Sequence, residues 1–251
     1  MSMQEAQGTE QLTIVIPAKN EARNIANLLT CLSRQDYPQL RRTKVYLADA
    51  GSTDGTREIA LGFRDRLDVE VIAGGLPSVG RNAGARLATT KCVLFIDADI
   101  EIRDTTLVRR CMEKMERHGL ECVTVNIKVS NGTWFDNLMY AGSNLTQRAA
   151  SWFRPFGTGM YMLFEREAFL RLGGFDEKAM FAEDYLLTQK VPILKFGILY
   201  GGCVYTSNRR MVKTGRLKYI RMFLWTALNT FNKSYFMKDQ NYWTEYEEKP
   251  K

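Results

Sequence analysis

The sequence predicts an α/β protein with a mainly parallel sheet and helices on its faces. Three observations carry this prediction. Short β-branched runs alternate with amphipathic stretches of about 10–15 residues, the pattern of right-handed crossovers between parallel strands. The chain has 251 residues, 45% hydrophobic and 25% charged, enough for a sizeable core with an ordinary globular surface. Acidic residues gather just after the strand-like runs, where open parallel sheets bind their ligands.

Each element has its own reason. Residues 12–17 (LTIVIP) form a buried strand, and 20–35 a helix with Ile25, Leu28, Leu29 and Leu32 at helical spacing and Asn20 as N-cap. Residues 44–50 are a second strand, 54–66 a helix opened by Ser52, Thr53 or Asp54, and 68–73 a third strand. A small-residue helix over 78–89 leads to a fourth strand at 91–99, then a helix at 104–117 and a strand at 121–127. The second half is less regular. An irregular helix spans 133–153, and GTGMYMLFERE turns on glycine into a strand. REAFLRLGGF is a short helix stopped by Gly173 and Gly174, and AEDYLLTQKV is another. PILKFGILYGGCVYTS is strand material, and 214–236 a final helix. With no repeat, linker or low-complexity tract, the division is a flexible tail at 1–11, one domain at 12–210 and a basic C-terminal extension at 211–251.

Composition narrows the chemistry. Five cysteines without a CxxC pair read as reduced packing residues, and the single histidine, His118, has no partners for a zinc site or a triad. The polar start and the short apolar stretch at 222–228 place the chain in the cytoplasm. GxGxxG and GxxxxGK[ST] are both absent from their diagnostic places, which disfavours a dinucleotide dehydrogenase and a P-loop nucleotidase. Net charge is +7, and the basic excess is C-terminal: residues 201–251 hold 10 Lys+Arg against 4 Asp+Glu. No RNP, KH or helix-turn-helix pattern accompanies it, so nucleic acid is not the expected partner.

Asp97-Ala98-Asp99 with Glu101 is the centre of the functional reading. If the extended geometry persists, these three carboxylates at alternate positions project to one side. Oxygen clusters of that kind suit Mg²⁺ or Mn²⁺ shared with substrate phosphates. Caps and turns explain some strand-end acids, but not three acidic strand ends together.

Four segments then stand in order over roughly residues 12–191: TIVIPAKNEARNI, YLADAGSTDGT, SVGRNAGARLATTKCVLFIDADIE, and GTGMYMLFEREAFLRLGGFDE with FAEDYLLTQKV. In these the chain resembles the inverting family-two glycosyltransferases. The resemblance implies a GT-A fold, with a mixed, mainly parallel sheet and here a C-terminal helical extension. It matches Pro17, Ala18 and Glu21 to the first nucleotide-contact loop, Asp49 to the acid that reads the base and Arg81 to a third nucleotide contact. Asp97 and Asp99 match the DxD that holds ribose, diphosphate and metal, Asp99 more directly. Glu101 stands where a third ligand occurs in polyprenyl-phosphate sugar synthases. Glu183-Asp184 match the ED pair, whose aspartate is the expected base. Ala50 replaces a frequent second aspartate, which leaves base recognition to Asp49. YLLTQK lacks an acid and an arginine often seen after ED, so acceptor contacts stay open.

The expected partners are a UDP-, GDP- or dTDP-linked sugar, a divalent cation and a hydroxyl acceptor, lipid-linked or a growing polysaccharide of the cell envelope. A polyprenyl-phosphate sugar synthase is the alternative, although an ionised phosphate acceptor needs no base. A non-catalytic sugar-nucleotide-binding protein is the other. Arg209 and Arg210 either add positive charge to the diphosphate or form a solvated surface pair. GGFDE resembles the acceptor-side loop, or is a helix stop followed by caps at Asp176 and Glu177. The stretch from Arg209 to Phe231 either lies on an anionic membrane surface or packs on the domain with its charges in water.

Overall fold

The β-branched run predicted to open the fold does so as the buried strand β1 (Leu12–Ala18), in which Ile14, Val15 and Ile16 are fully covered. The computed structural model describes residues 11–216, 218, 220–221, 225–226, 229 and 232–238. After β1 come α1 (Ala22–Ser33), β2 (Lys44–Asp49), α2 (Thr56–Leu61), β3 (Asp68–Ala73), α3 (Pro77–Leu87), β4 (Cys92–Ile96), α4 (Leu107–His118) and β5 (Cys122–Val129). The second half adds α5 (Trp134–Ala150), β6 (Tyr161–Glu165), α6 (Arg166–Arg171), α7 (Glu183–Thr188), β7 (Phe196–Thr206) and α8 (Arg209–Thr214).

The seven strands form one sheet in the order β3-β2-β1-β4-β6-β5-β7. The β1–β2, β2–β3, β1–β4 and β5–β7 pairs are parallel, and β6 alone runs against its neighbours β4 and β5. Period-two alternation along the strands divides the core. Ile14, Ile16, Leu94 and Ile96 pack with α1 and α4 on one face. Val15, Val93, Phe95, Phe164 and Phe169 fill the other. Parallel strands covered on both faces read as continuous apolar runs, which is why β1 and β4 were legible.

α3 lies close on β1 because it is built from small residues. A Cβ on Gly84 would stand 2.5 Å from Val15 Cγ1 and 2.6 Å from Cγ2, inside a fully buried β-branched side chain. Gly84→Ala is therefore expected to lower stability by about 1–3 kcal/mol, the usual overpacking range, read by urea unfolding with an unchanged m-value.

Local punctuation differs from expectation at several places. Asn20 does not cap α1. It sits at φ 54, with its side chain accepting from Thr53 N–H at 3.0 Å, and Glu21 holds the cap position. α2 stops at Leu61 and opens after Gly55 at φ 92. Asp54 does take part in capping, accepting from Thr56 N–H and, across the loop, from Ala22 N–H at the start of α1. α5 is a regular helix with a capping box of Thr133 and Asp136. The expected 214–236 helix is interrupted at Gly215, with φ 84, and α8 precedes the break. Leu217, Phe223, Leu224, Leu228 and Phe231 of its apolar pattern lie outside the described residues.

Candidate active site

The carboxyl ends of β1, β2 and β4 come together on one edge of the sheet, through pairings such as Ala18↔Asp49 and Val15↔Phe95. Parallel strands put their following loops on this edge, so the predicted acids converge there.

Asp49 ends β2 with its side chain 1% exposed. It accepts hydrogen bonds from Gly51 and Ser52 N–H and from Arg57 Nε. Burial alone would raise its pKa, but the bonds from Ser52, Arg57 and Gly51 outweigh that and hold the carboxyl below its ordinary value. Arg57 was not singled out in the sequence. Its signal was only its position on α2, eight residues past Asp49. Pro17 and Ala18 close β1 beside it. Asn20 N–H donates to Ser52 Oγ and Glu21 N–H to Thr56 Oγ1, so the loops after β1 and β2 are laced together.

Glu21 points toward the DxD. Its carboxylate accepts from Asn24 Nδ2 and from Arg209 Nη2, the latter at 3.3 Å. Desolvation raises its pKa, with Asn24 opposing and the Asp99 charge adding to the rise. Arg209 also lies 3.7 Å from Asp99 Oδ2. This places Arg209 at the site and not in an isolated surface pair, whereas the Arg210 side chain lies outside what the structure describes.

The DxD itself departs from the predicted geometry. β4 ends at Ile96, and Asp97–Asp99 form a turn with Ile100 N–H donating back to the Asp97 carbonyl at 3.3 Å. The extended backbone that alternate projection requires therefore ends before the first of the three carboxylates. Glu101 forms an isolated bridge with Tyr205 and pairs its carboxylate with Arg103 through two bonds of 3.0 Å. Its carboxylate is thus engaged by a cation from two residues along the chain. Among the described residues no three histidine, cysteine, aspartate or glutamate groups converge as a metal cage. What remains for a hard cation is carboxylate oxygen of the DxD, chiefly Asp99. Such a donor set fits Mg²⁺ or Mn²⁺ when substrate phosphates complete the shell.

Arg81, the expected third nucleotide contact, is buried among carboxylates. It rises from α3 with its side chain 3% exposed. Nη2 donates to Asp97 at 2.5 Å and Nη1 to Glu183 at 2.5 Å, while the guanidinium lies over the Phe175 ring, 5.3 Å from its centroid. Burial alone would lower its pKa, but the Asp97, Glu183 and Asp184 charges together raise it, so it is permanently cationic. Arg81 thus links Asp97 of the DxD turn to Glu183 of α7.

On the far side of Arg81 stands the ED pair, at the start of α7. Ala182, immediately before it, adopts φ 53, a left-handed conformation that non-glycine residues seldom hold. The Asp184 carboxylate accepts from Gly159 N–H at 2.5 Å and from Tyr185 N–H at 2.7 Å. Its carboxyl is desolvated although the residue keeps part of its surface exposed. Desolvation first, then the Glu183 charge, push its pKa up to about 6 against the opposing pull of Arg81 and the two N–H donors. The Gly159 donor was not foreseen as a contact, although the GTG turn was visible in the sequence.

The GGFDE loop takes its structural reading. Asn82 clamps the Phe175 backbone on both sides, at 2.9 and 3.0 Å, and a Cβ on Gly174 (φ 64) would meet Asn82 Oδ1 at 2.8 Å. Asp176 accepts from Lys178 N–H, and Glu177 pairs with Asn82 and Arg86.

A mainly parallel sheet with a buried aspartate after β2, a DxD turn after β4 and a partly buried carboxylate at the start of α7 has the architecture of a GT-A fold. The family model for glycosyl transferase family 2 matches residues 13–173, and the chain belongs to that family. It is similar to the poly(ribitol-phosphate) β-N-acetylglucosaminyltransferase TarS of Staphylococcus aureus, 28% identical over 134 residues, or 52% of this chain and 23% of TarS. It is also similar to the succinoglycan biosynthesis protein ExoA of Rhizobium meliloti, 28% identical over 236 residues, covering 89% of this chain and 68% of ExoA. Among solved structures, TarS 1–349 with UDP-GlcNAc superposes with a TM-score of 0.64 at 23% identity, covering 79% of this chain and 59% of that one. The mannosyltransferase PcManGT of Pyrobaculum calidifontis, solved with GDP-Man and Mn²⁺, gives 0.70 at 19% identity, covering 90% and 66%. At these identities the structural likeness establishes the fold.

Proposed function

We propose that this chain is a glycosyltransferase that inverts the donor carbon, moving a sugar from a nucleoside diphosphate to a hydroxyl acceptor with Asp184 as general base. The observation that carries this reading is the Asp184 carboxyl, oriented by two N–H donors with its pKa pushed up to about 6. A base of that strength is ionised at neutral pH yet accepts a proton readily. An acceptor phosphate would not need it, so the hydroxyl-acceptor reading is preferred to a polyprenyl-phosphate sugar synthase.

Each remaining group has a task in this reading. Asp49, set by Arg57 and the Gly51–Ser52 backbone, receives the nucleobase beside Pro17 and Ala18. Asp97 and Asp99 face the ribose and diphosphate. Arg209, between Glu21 and Asp99, supplies fixed positive charge to the leaving phosphate. A divalent cation held at Asp99 would act there as a Lewis acid. Arg81 and Glu183 set the distance between the donor and base sides. The transferase domain is taken as residues 12–210. Of the 211–251 extension, Met211 and Phe236 are buried, and Phe236 packs against Phe181 and Tyr185 of that domain. A lipid-linked or polymeric acceptor, with the enzyme on the cytoplasmic face of the membrane, completes the proposal.

The test is a thermal-shift panel of UDP-, GDP- and dTDP-sugars with and without Mn²⁺, since a ligand selective for the folded chain raises its stability. One nucleotide class should shift the melting temperature, and more so with Mn²⁺. Asp99→Asn is expected to weaken that binding and remove most of its Mn²⁺ dependence while the unliganded melting temperature stays near the parent's. Parental nucleotide and metal binding by the variant would remove Asp99 from the metal assignment.

A further inference from the structure

The outer face of α5 carries apolar side chains that nothing in the described structure covers. Trp134 is 77% exposed, Leu138 58% and Leu145 66%, and the chain just beyond the helix adds Trp152 at 80% and Phe153 at 70%. Positions 134, 138, 145 and 152 follow helical spacing, so they form one stripe with a tryptophan near each end. Soluble domains seldom display so many large apolar groups in one line, and those that do use them.

Charge tells what the stripe faces. From 137 to 164 the chain contains no Asp or Glu, and from 185 to 238 it contains none against ten Lys and Arg. The acid of α5 itself, Asp136, is fully buried and neutralised: Arg216 Nε donates to it at 2.9 Å and Asn208 Nδ2 at 3.0 Å, which holds its carboxyl far below the usual range. That ion pair fastens the basic segment to the first turn of α5, beside the stripe. There a hollow is lined by Met211, Val212, Gly215, Arg216 and Lys218, apolar groups next to cationic ones. Lys213 and Arg221 are also exposed. A protein partner would call for acids or a mixed polar rim. A basic segment beside the first turn of a tryptophan-ended apolar stripe matches an anionic bilayer surface.

We infer that α5 and residues 152–153, flanked by the basic segment that Arg216 ties to Asp136, seat this enzyme on anionic membrane. This adds the apolar face of α5 and residues 152–153 to the basic C-terminal pattern that the sequence suggested. It also has a consequence for the chemistry. Five residues separate Phe153 from Gly159, whose N–H donates to Asp184, so the seated stripe leads directly to the base side of the site. The inference does not depend on the donor-site reading, because lipid binding is measured without turnover.

The experiment is co-sedimentation of the full chain with vesicles of phosphatidylcholine alone and of phosphatidylcholine with phosphatidylglycerol, at low and high salt. Truncation is avoided, since Phe236 belongs to the core. The parent should pellet with the anionic vesicles at low salt and much less with the neutral ones. W134S/W152S/F153S should partition at least about tenfold more weakly, with an unchanged melting temperature because these side chains are exposed. K213Q/R221Q should lose binding to anionic vesicles selectively, by about fivefold or more. A parent that stays in the supernatant overturns the inference, and so does a triple variant that still pellets like the parent. So does a parent that light scattering shows to be a dimer dissociated by the triple variant, which would make the stripe a contact between copies.

Discussion

Asp184→Asn is expected to reduce sugar transfer by a factor on the order of 10² or more while nucleotide binding stays close to parental, the signature of a lost general base. Geometry explains why the effect falls on the chemical step. The carboxylate is held by Gly159 N–H and Tyr185 N–H, next to Glu183, which shares Arg81 with Asp97 of the DxD turn. Asparagine offers one acceptor where two N–H groups donate, so a stability loss of about 1 kcal/mol should accompany the change. The melting temperature measures that loss separately.

The pH profile provides an independent check. Asp184 must be ionised to take the acceptor proton, and desolvation raises its pKa from the ordinary aspartate value of 3.8 to about 6. The parental rate should therefore climb as pH rises through about 6 and level off above it, with the midpoint belonging to the Glu183–Asp184 pair as a unit. The same shift has a stability sign. A carboxyl that is easier to protonate when folded contributes stability that is present below pH 3.8 and lost as pH rises through about 6. The site therefore keeps a reactive base at some cost in stability at neutral pH. A rate that is flat from pH 5 to 8 at saturating donor, together with parental turnover by Asp184→Asn, would move the reading to an acceptor that arrives already ionised.

The fold was legible wherever burial fixed the pattern. β1, β2 and β4 are covered strands with continuous apolar runs, β3 is a half-exposed edge strand, and the register of β1 with β2 and β4 brings Asp49 and Asp97 to one edge, as the α/β alternation implied. The antiparallel insertion of β6 between β4 and β5 was not legible, because strand order depends on long-range pairing that local periodicity does not encode. Single carboxylates were found by residue type and position, but their partners were not. Arg57 on Asp49, Arg103 on Glu101 and Gly159 on Asp184 come from separate elements, and no spacing rule connects them. The alternate spacing of Asp97, Asp99 and Glu101 presumes extended backbone, and the strand had ended at Ile96.

Arg81→Met should be the most damaging single change to the fold around the site, lowering stability by about 3–5 kcal/mol, the range for removing one partner of a buried ion pair. The guanidinium is the shared partner of Asp97 and Glu183, whose side chains are 25% and 7% exposed. Without it, two carboxylates are left close together in a desolvated setting, and the ring of Phe175 loses the cation above it. Arg81→Lys separates charge from geometry. A single ammonium cannot present two N–H groups to carboxylates on opposite sides in the planar arrangement that arginine has, so it should recover only part of the stability. Function supplies the readout that a purely structural role would not move. The Arg81 charge lowers the Asp184 pKa, so weakening that contact should displace the midpoint of the rate profile to a pH above about 6. Urea unfolding and the pH–rate profile of Arg81→Lys together test the assignment. A lysine variant with parental stability and an unmoved midpoint would show that Arg81 does not join the donor side to the base.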